Sequence, residues 1–361
     1  MDQLRIGVLG SARITATALI EPARHLPAVT VAAVAARDTS RAEAFAARHG
    51  IPVAYGGYED LLADPDIDAV YNPLPNSGHG PWTRRAIEAG KHVLCEKPFA
   101  SNAVEAAEVA AAAEAAAASG IVVMEAMHYR YHPLVQRLHD LVTGGTFGPV
   151  RHIQCWTNFV IENPRDIRYD YDLAGGALMD GGCYALDCMR LLGGEPSVVA
   201  AVADPFGGDA FDDAFDDAFD DAGGAVADRA MAVRLAFRGG ATGWFESSFT
   251  RDGEFRADVH VICADGHLWL RNFILAHQGR LEVTRNGTVV ADENGYGDTT
   301  YLGQLRAFAA AIAGGEPVPT SAAHAVITMR LIDDAYRAAG LAPRPTAGPA
   351  QSAPGPTGGR R

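Results

Sequence analysis

Lys97 stands at the end of Lys91-His92-Val93-Leu94-Cys95-Glu96-Lys97-Pro98, where a short β-type run delivers a Glu-Lys pair and a proline stops it. Proline has no amide hydrogen to donate, so strand pairing ends there. In open α/β sheets, ligands bind beyond the carboxyl ends of the strands. A lysine held at such an end can reach a ligand, although the same run would also suit a surface lysine after an edge strand. A second group lies in Gly175-Gly176-Ala177-Leu178-Met179-Asp180-Gly181-Gly182-Cys183-Tyr184, which opens a helix predicted to continue to Leu192. Asp180 and Tyr184 are four apart and share a helix face, with Asp187 one turn on. A carboxylate and a phenol on one face suit recognition of a substrate hydroxyl and transfer of its proton. Tyrosine is a weak base at its ordinary pKa of about 10, but a nearby ammonium favours the phenolate. Lys97 could supply that ammonium. Tyr184 by itself would equally be a half-buried core tyrosine; the lysine is what argues for chemistry.

The elements that must position these groups begin at the N-terminus. Leu4-Arg5-Ile6-Gly7-Val8-Leu9-Gly10 is an apolar strand entering a glycine turn, followed by Ser11-Ala12-Arg13-Ile14 and a helical stretch. Gly10 permits a tight turn, and the helix start behind it offers unpaired N–H groups to a pyrophosphate. Gly7 and Gly10 match a dinucleotide-binding glycine motif only loosely, with Ala12 where a third glycine often stands. The next strand, 29–36, ends in Arg37-Asp38. An acidic residue here accepts from a ribose 2′-hydroxyl, whereas an arginine suits a 2′-phosphate. Arg37 therefore points to NADP, and Asp38 keeps NAD possible. Helix 40–49, strand 51–55, helix 58–63 and strand 67–71 continue the alternation. Leu74, Pro75 and Asn76 then follow in a proline-bounded loop that can wall the nicotinamide half of a cofactor, with His79 at the next helix start. Helix 82–89, strand 92–95, helix 101–118 and strand 121–125 complete a doubly wound parallel sheet.

From Val150 the pattern changes to strict alternation at Ile153, Cys155, Thr157 and Phe159. Hairpins are predicted for 231–237 with 241–249, 258–264 with 267–272, and 281–285 with 289–291. The latter two turn at Asp265-Gly266 and Asn286-Gly287, the dipeptides best suited to tight hairpins. The expected fold class is thus a Rossmann domain at 1–126 and an α+β domain with a large, mostly antiparallel open sheet at 127–341. An open face of that size suits packing against a second copy, so a homodimer or dimer of dimers is expected. Residues 209–222 repeat Ala-Phe-Asp-Asp and carry seven aspartates, reading as an acidic insertion without calcium-loop spacing. The Pro/Gly/Ser-rich tail, 342–361, is expected to be disordered.

Net charge of −14 over 361 residues argues against nucleic-acid or anionic-membrane partners. The five cysteines form no Cys-x-x-Cys and are odd in number, so they read as reduced thiols, without a disulfide frame or metal site. The Met-Asp-Gln-Leu-Arg start shows no secretory pattern, and no uninterrupted apolar run is long enough for a membrane span. A cytoplasmic location is expected.

Gly7/Gly10, Ala-Gly-Lys-His-Val-Leu-Cys-Glu-Lys-Pro at 89–98, Glu-Ala-Met-His-Tyr-Arg-Tyr-His-Pro at 125–133 and Ala-Gly-Gly-Ala-Leu-Met-Asp-Gly-Gly-Cys-Tyr at 174–184 together resemble the Gfo/Idh/MocA oxidoreductases. Tyr184, where many members carry histidine, is similar to the subgroup of dihydrodiol dehydrogenase, glucose–fructose oxidoreductase and NADP-dependent D-xylose dehydrogenase. The resemblance implies that Lys97 and Tyr184 are the catalytic pair, Asp180 holds a neighbouring substrate hydroxyl, and Glu96 supports the cofactor side. It also implies that His128, Arg130 and Arg168 line the substrate pocket. His128 replaces an aromatic wall of the dihydrodiol dehydrogenases and so favours a polar, sugar or polyol substrate. Three functions follow as expectations: an NADP-dependent sugar or polyol dehydrogenase, a trans-dihydrodiol dehydrogenase or sugar-ketone reductase using the same residues, or a non-catalytic dinucleotide sensor. The presence of both Lys97 and Tyr184 speaks against the last.

Overall fold

The computed structural model describes residues 3–163, 165–204, 227–250 and 253–346. The chain divides into two compact units. The first holds Met1–Met127 together with Tyr301–Val326, and the second holds His128–Thr300 and Ile327–Arg344. The acidic repeat at 209–222 lies outside the described residues.

In the first unit, strands β1 (Leu4–Leu9), β2 (Val29–Ala35), β3 (Val53–Tyr55), β4 (Ala69–Asn72), β5 (His92–Cys95) and β6 (Val123–Glu125) form one sheet in the order β3-β2-β1-β4-β5-β6. Every pairing in it is parallel. Strands covered on both faces need continuous apolar runs, and Ile6, Val8, Leu9, Val34, Val70 and Leu94 are fully buried. Each such side chain contributes about 1.5–3 kcal/mol. The order reverses at β1 and β4, which places the ends of β1, β2, β4 and β5 around the crevice where such sheets bind dinucleotides. One helix differs from expectation: Asn76–Glu88 starts at Asn76 and carries Pro81 inside it, where the sequence suggested a start near Trp82. Pro75 precedes the first helical residue, so the loop of prolines is shorter than expected.

The second unit is built on β7 (Val150–Val160), β8 (Pro196–Asp204), β9 (Ala230–Phe237), β10 (Thr242–Thr250), β11 (Arg256–Cys263), β12 (Gly266–Arg271), β13 (Arg280–Arg285) and β14 (Thr288–Asn294). Their order is β14-β13-β12-β11-β7-β10-β9-β8. The three expected hairpins pair as β9–β10, β11–β12 and β13–β14. β7 and β10 run parallel, while the other pairs are antiparallel. A π-helical turn, Leu178–Gly182, and the α-helix Cys183–Gly193 lie on this sheet, where Ser247 Oγ donates to the Ala177 carbonyl at 2.7 Å.

The expectation of disorder from Ala342 does not hold for the described part of the tail. Arg344 is buried and bonded, and the Asn102 side-chain amide donates to Thr346 Oγ1 at 3.2 Å. Low sequence complexity around it hid one well-placed arginine.

Candidate active site

In the first unit, β1 runs into Gly10, whose φ of +91° favours glycine and whose amide donates to the Ala35 carbonyl at 2.7 Å. Ser11 and Ala12 are half-buried, and Arg13 and Ile14 are exposed, in the turn that leads to the helical segments Ala16–Ile20 and Glu21–Arg24. Gly7 lies within β1, and a Cβ there would meet the Leu61 side chain at 2.7 Å. Arg37 is exposed at the end of β2. Asp38 beside it is committed elsewhere: its Oδ1 accepts from the Ser40 amide at 2.9 Å and from Ser40 Oγ at 2.8 Å, capping helix Thr39–His49. Those Ser40 bonds hold the Asp38 carboxyl below its usual range. Burial raises the Tyr58 hydroxyl above its ordinary value, opposed by the Arg37 and Arg41 guanidiniums nearby. Two guanidiniums, Arg37 and Arg41, therefore stand beside the end of β2, an arrangement that suits an anion. These residues fit a dinucleotide: an open glycine turn after β1, and cationic side chains beyond β2 where a ribose phosphate would lie.

The turn bearing Lys97 is braced from three sides. Tyr71, at the end of β4, donates to Glu96 Oε1 at 2.6 Å. The Phe99 amide donates to Glu125 Oε1, at the end of β6, at 3.0 Å. His79 Nδ1 lies 2.7 Å from the Pro98 carbonyl and its Nε2 lies 2.7 Å from the Leu74 carbonyl. Glu96 and His79 are buried and Lys97 is half-buried. Burial lowers the His79 pKa to about 4 against the pull of both carbonyls. His79 thus joins the Leu74-Pro75-Asn76 loop to the Lys97 turn. Leu74, Pro75 and Asn76 are half-buried around it.

In the second unit, Asp180 lies in the π-helical turn and Tyr184 in the following α-helix, both buried. Arg168 Nε donates to Asp180 Oδ2 at 2.9 Å, and its Nη1 donates to Asp166 Oδ1 at 3.0 Å. The Asp180 carboxylate raises the Arg168 guanidinium further above its ordinary value. Tyr184 Oη lies 2.9 Å from His128 Nε2, and the two rings meet edge to face. Arg130 is engaged by the buried Asp187 at 3.2 Å, and Tyr129 Oη donates to the same carboxylate at 2.7 Å. Direct bonds therefore pair Asp180 with Arg168 and Tyr184 with His128, while Arg130 anchors the 128–131 turn to the helix Cys183–Gly193 through Asp187.

Three further residues hold this helix, and the sequence offered no sign of them. Asp228 Oδ2 accepts from the Leu178 amide at 2.8 Å, and its backbone carbonyl accepts from Ala177 at 2.9 Å. Tyr336 and Arg344 both donate to Asp228 Oδ1, at 2.8 and 2.5 Å. Arg344 Nε also donates to the Gly175 carbonyl at 2.6 Å, with its guanidinium over the rings of Tyr336 and Tyr171. A Cβ on Gly176 would fall 2.1 Å from Asp228 Oδ1, so the glycine pair is what lets the turn close onto this ion pair. The five cysteines are all free and buried. Among the described residues, no group of three or more His, Cys, Asp or Glu is placed to hold a metal ion, and no helix is long and apolar enough to cross a membrane.

Residues 4–124 match the oxidoreductase family with an NAD-binding Rossmann fold, GFO/IDH/MocA, and residues 135–269 match its C-terminal domain. D-xylose 1-dehydrogenase (NADP(+)) 2 of Haloferax volcanii is 38% identical over 343 residues, covering 93% of this chain and 97% of the relative. Trans-1,2-dihydrobenzene-1,2-diol dehydrogenase of Sus scrofa is 34% identical over 247 residues, covering 68% and 66%. KijD10, a 3-ketoreductase from Actinomadura kijaniata solved with NADP and TDP-benzene, superposes with a TM-score of 0.79 at 26% identity, covering 93% of this chain and 98% of its own. The chain belongs to the Gfo/Idh/MocA oxidoreductase family. It is an oxidoreductase, and its relatives include dehydrogenases and reductases of sugars and diols.

Proposed function

We infer that the protein is an NADP-dependent dehydrogenase of a sugar or polyol CH–OH group, with Tyr184 as acid/base and Lys97 as its cationic assistant. The observation that carries this is the buried face holding Asp180 and Tyr184, with polar His128 bonded to the tyrosine oxygen where a diol-binding wall would be aromatic. The bound cofactor would supply the hydride acceptor. Tyr184 Oη takes the proton of the substrate hydroxyl as that hydroxyl becomes a carbonyl, and returns it in reduction. Lys97 is assigned the ammonium that favours the phenolate, and the bracing of its turn by Tyr71, Glu125 and His79 suits a group that must be held in place. Asp180, oriented by Arg168, is assigned a neighbouring substrate hydroxyl. Glu96, Leu74, Pro75 and Asn76 are assigned to the cofactor side through the two loops that His79 ties together. The 38% identical NADP(+)-dependent D-xylose dehydrogenase supports an aldopentose as the first substrate to try.

The test is NADPH formation from NADP+ with a panel of aldoses, polyols and trans-dihydrodiols, alongside NADPH consumption with keto-sugars. Turnover of only the diols or only the keto-sugars would shift the assignment to those chemistries. No turnover of any, with clear NADP(H) binding, would favour a sensor.

Cofactor preference has its own test. Arg37 is exposed with Arg41 nearby, while Asp38 is occupied by Ser40. Arg37→Asp should weaken NADP+ relative to NAD+ by about 10- to 100-fold, the loss of one charge-assisted phosphate contact of roughly 1.5–3 kcal/mol. An unchanged ratio of kcat/KM for the two cofactors would count against Arg37.

The oligomer is proposed to be a homodimer, or a dimer of dimers, formed through the open face of the eight-stranded sheet. That face carries Trp156 and Trp244 with ring centroids 5.1 Å apart, Arg256 over Trp156, and His260 stacked on Trp269. Aromatic and arginine side chains are enriched at such interfaces. Sedimentation velocity should give a dimer or larger at micromolar concentration; a monomer would sink the proposal. Buried free cysteines suit the reducing cytoplasm proposed for the enzyme.

A further inference from the structure

We propose that His128 and Thr300 form a proton chain behind Tyr184. His128 takes the phenolic proton as Tyr184 Oη receives that of the substrate hydroxyl, and Thr300 sets the imidazole tautomer that makes this possible. The chain rests on the acid/base role assigned to Tyr184 above.

Both ring nitrogens of His128 have an oxygen partner in the same unit. Nε2 is 2.9 Å from Tyr184 Oη, and Nδ1 is 2.8 Å from Thr300 Oγ1. His128 is 1% exposed, Thr300 0% and Tyr184 4%, so the three side chains are shielded from bulk solvent. A neutral imidazole donates from one nitrogen and accepts at the other. With Nδ1–H given to Thr300 Oγ1, Nε2 accepts the Tyr184 hydrogen. A phenol whose hydrogen is committed in this way presents its lone pairs to an incoming hydroxyl. The chain therefore has a direction, from substrate to Tyr184 to His128.

The chemical reason for a second base is the gap between the two ordinary pKa values, about 10 for tyrosine and about 6.5 for histidine. At neutral pH an unassisted tyrosine is ionised in only about one molecule in a thousand. An imidazole is matched to that pH. In the oxidation direction the substrate O–H bond breaks and a new Oη–H bond forms. The former Tyr184 O–H bond breaks and Nε2–H forms, leaving an imidazolium. The substrate C–H electron pair leaves as hydride to an oxidised nicotinamide dinucleotide, the co-reactant of the proposed function. Reduction runs the same transfers backwards. Charged and titratable groups on the elements that carry the chain include Asp180 with Arg168, Asp187 with Arg130, and Tyr129, whose ring lies 6.0 Å from that of Tyr184; the Lys97 ammonium assigned to Tyr184 above adds a cation.

His128→Gln separates proton transfer from hydrogen bonding, because a glutamine oxygen can accept from Tyr184 but cannot take its proton. In the full-length enzyme with NADP(H), His128→Gln should lower kcat about 10²-fold while KM and NADPH affinity move by only a few fold. Thr300→Val, which removes the tautomer partner, should cost about tenfold. A second readout needs no turnover: tyrosine labelled with 13C at Cζ gives a Tyr184 resonance, assigned by its loss in Tyr184→Phe. Thr300→Val should shift that resonance through His128, which bonds both Thr300 and Tyr184.

The outcomes are distinguishable. If Tyr184→Phe keeps full activity, the role of Tyr184 falls, and the chain with it. If Tyr184→Phe is inactive but His128→Gln stays within about twofold of the parent kcat, the chain is overturned and Tyr184 stands. If His128→Gln does not fold, Thr300→Val decides alone: an unchanged kcat and an unmoved Tyr184 resonance overturn the proposal.

Discussion

Tyr184→Phe is expected to lower kcat by about 10²- to 10⁴-fold while leaving KM and NADPH affinity nearly unchanged. Phenylalanine keeps the ring that packs against His128 and Tyr129 and removes only the oxygen, so the helix Cys183–Gly193 should stay in place. Lys97→Met should give a loss of similar size, because the methionine fills much the same volume without the ammonium. The double variant should be little worse than either single one, since groups that act on one proton lose their effect together. Full kcat in either single variant would sink its catalytic assignment. Additive losses would show that Lys97 and Tyr184 act on different steps. Thermal unfolding of the variants checks that the loss is chemical, and both should melt close to the parent.

The elements behind these residues were legible where the physics is local. The parallel sheet follows from apolar runs such as Val93-Leu94-Cys95, buried on both faces, and the hairpins from Asp265-Gly266 and Asn286-Gly287. Local signals misled at Asn76–Glu88, where the prolines at 73 and 75 suggested a longer extended loop and a helix from Trp82, whereas the helix starts directly after Pro75 and runs through Pro81. The parallel contact of β7 with β10 was not foreseeable, because it joins strands about eighty residues apart and leaves no periodic trace. Of the candidate site, Lys97, Asp180 and Tyr184 stood out in the sequence through their spacing on a strand end and a helix face. The residues that hold them were not. Thr300 lies 172 positions from His128, and Arg344 lies 116 from Asp228. Such pairs are set by tertiary packing, and no short-range pattern records them.

Arg344 is the sharpest case, and its removal should cost the fold a buried ion pair. Its guanidinium and the Asp228 carboxylate have side-chain exposures of 1% and 0%. Truncating one partner leaves the other charge buried and uncompensated, a cost of about 3–5 kcal/mol. Arg344→Ala should therefore lower the melting temperature by roughly 10 °C. Asp228→Ala should cost more, because Asp228 also accepts from Tyr336 and from the Leu178 amide. The double variant should be less damaging than the sum, since removing both charges leaves neither one stranded. Ending the chain at Pro343 should reproduce the Arg344→Ala loss. An unchanged melting temperature in Arg344→Ala would show that the ion pair contributes nothing net. Because the same network grips Gly175 to Leu178 at the start of the helix that carries Asp180 and Tyr184, the surviving folded fraction should also show reduced kcat. Added ethylguanidinium should partly restore that rate by filling the vacated space between Tyr171 and Tyr336, an effect that a general loss of stability would not produce.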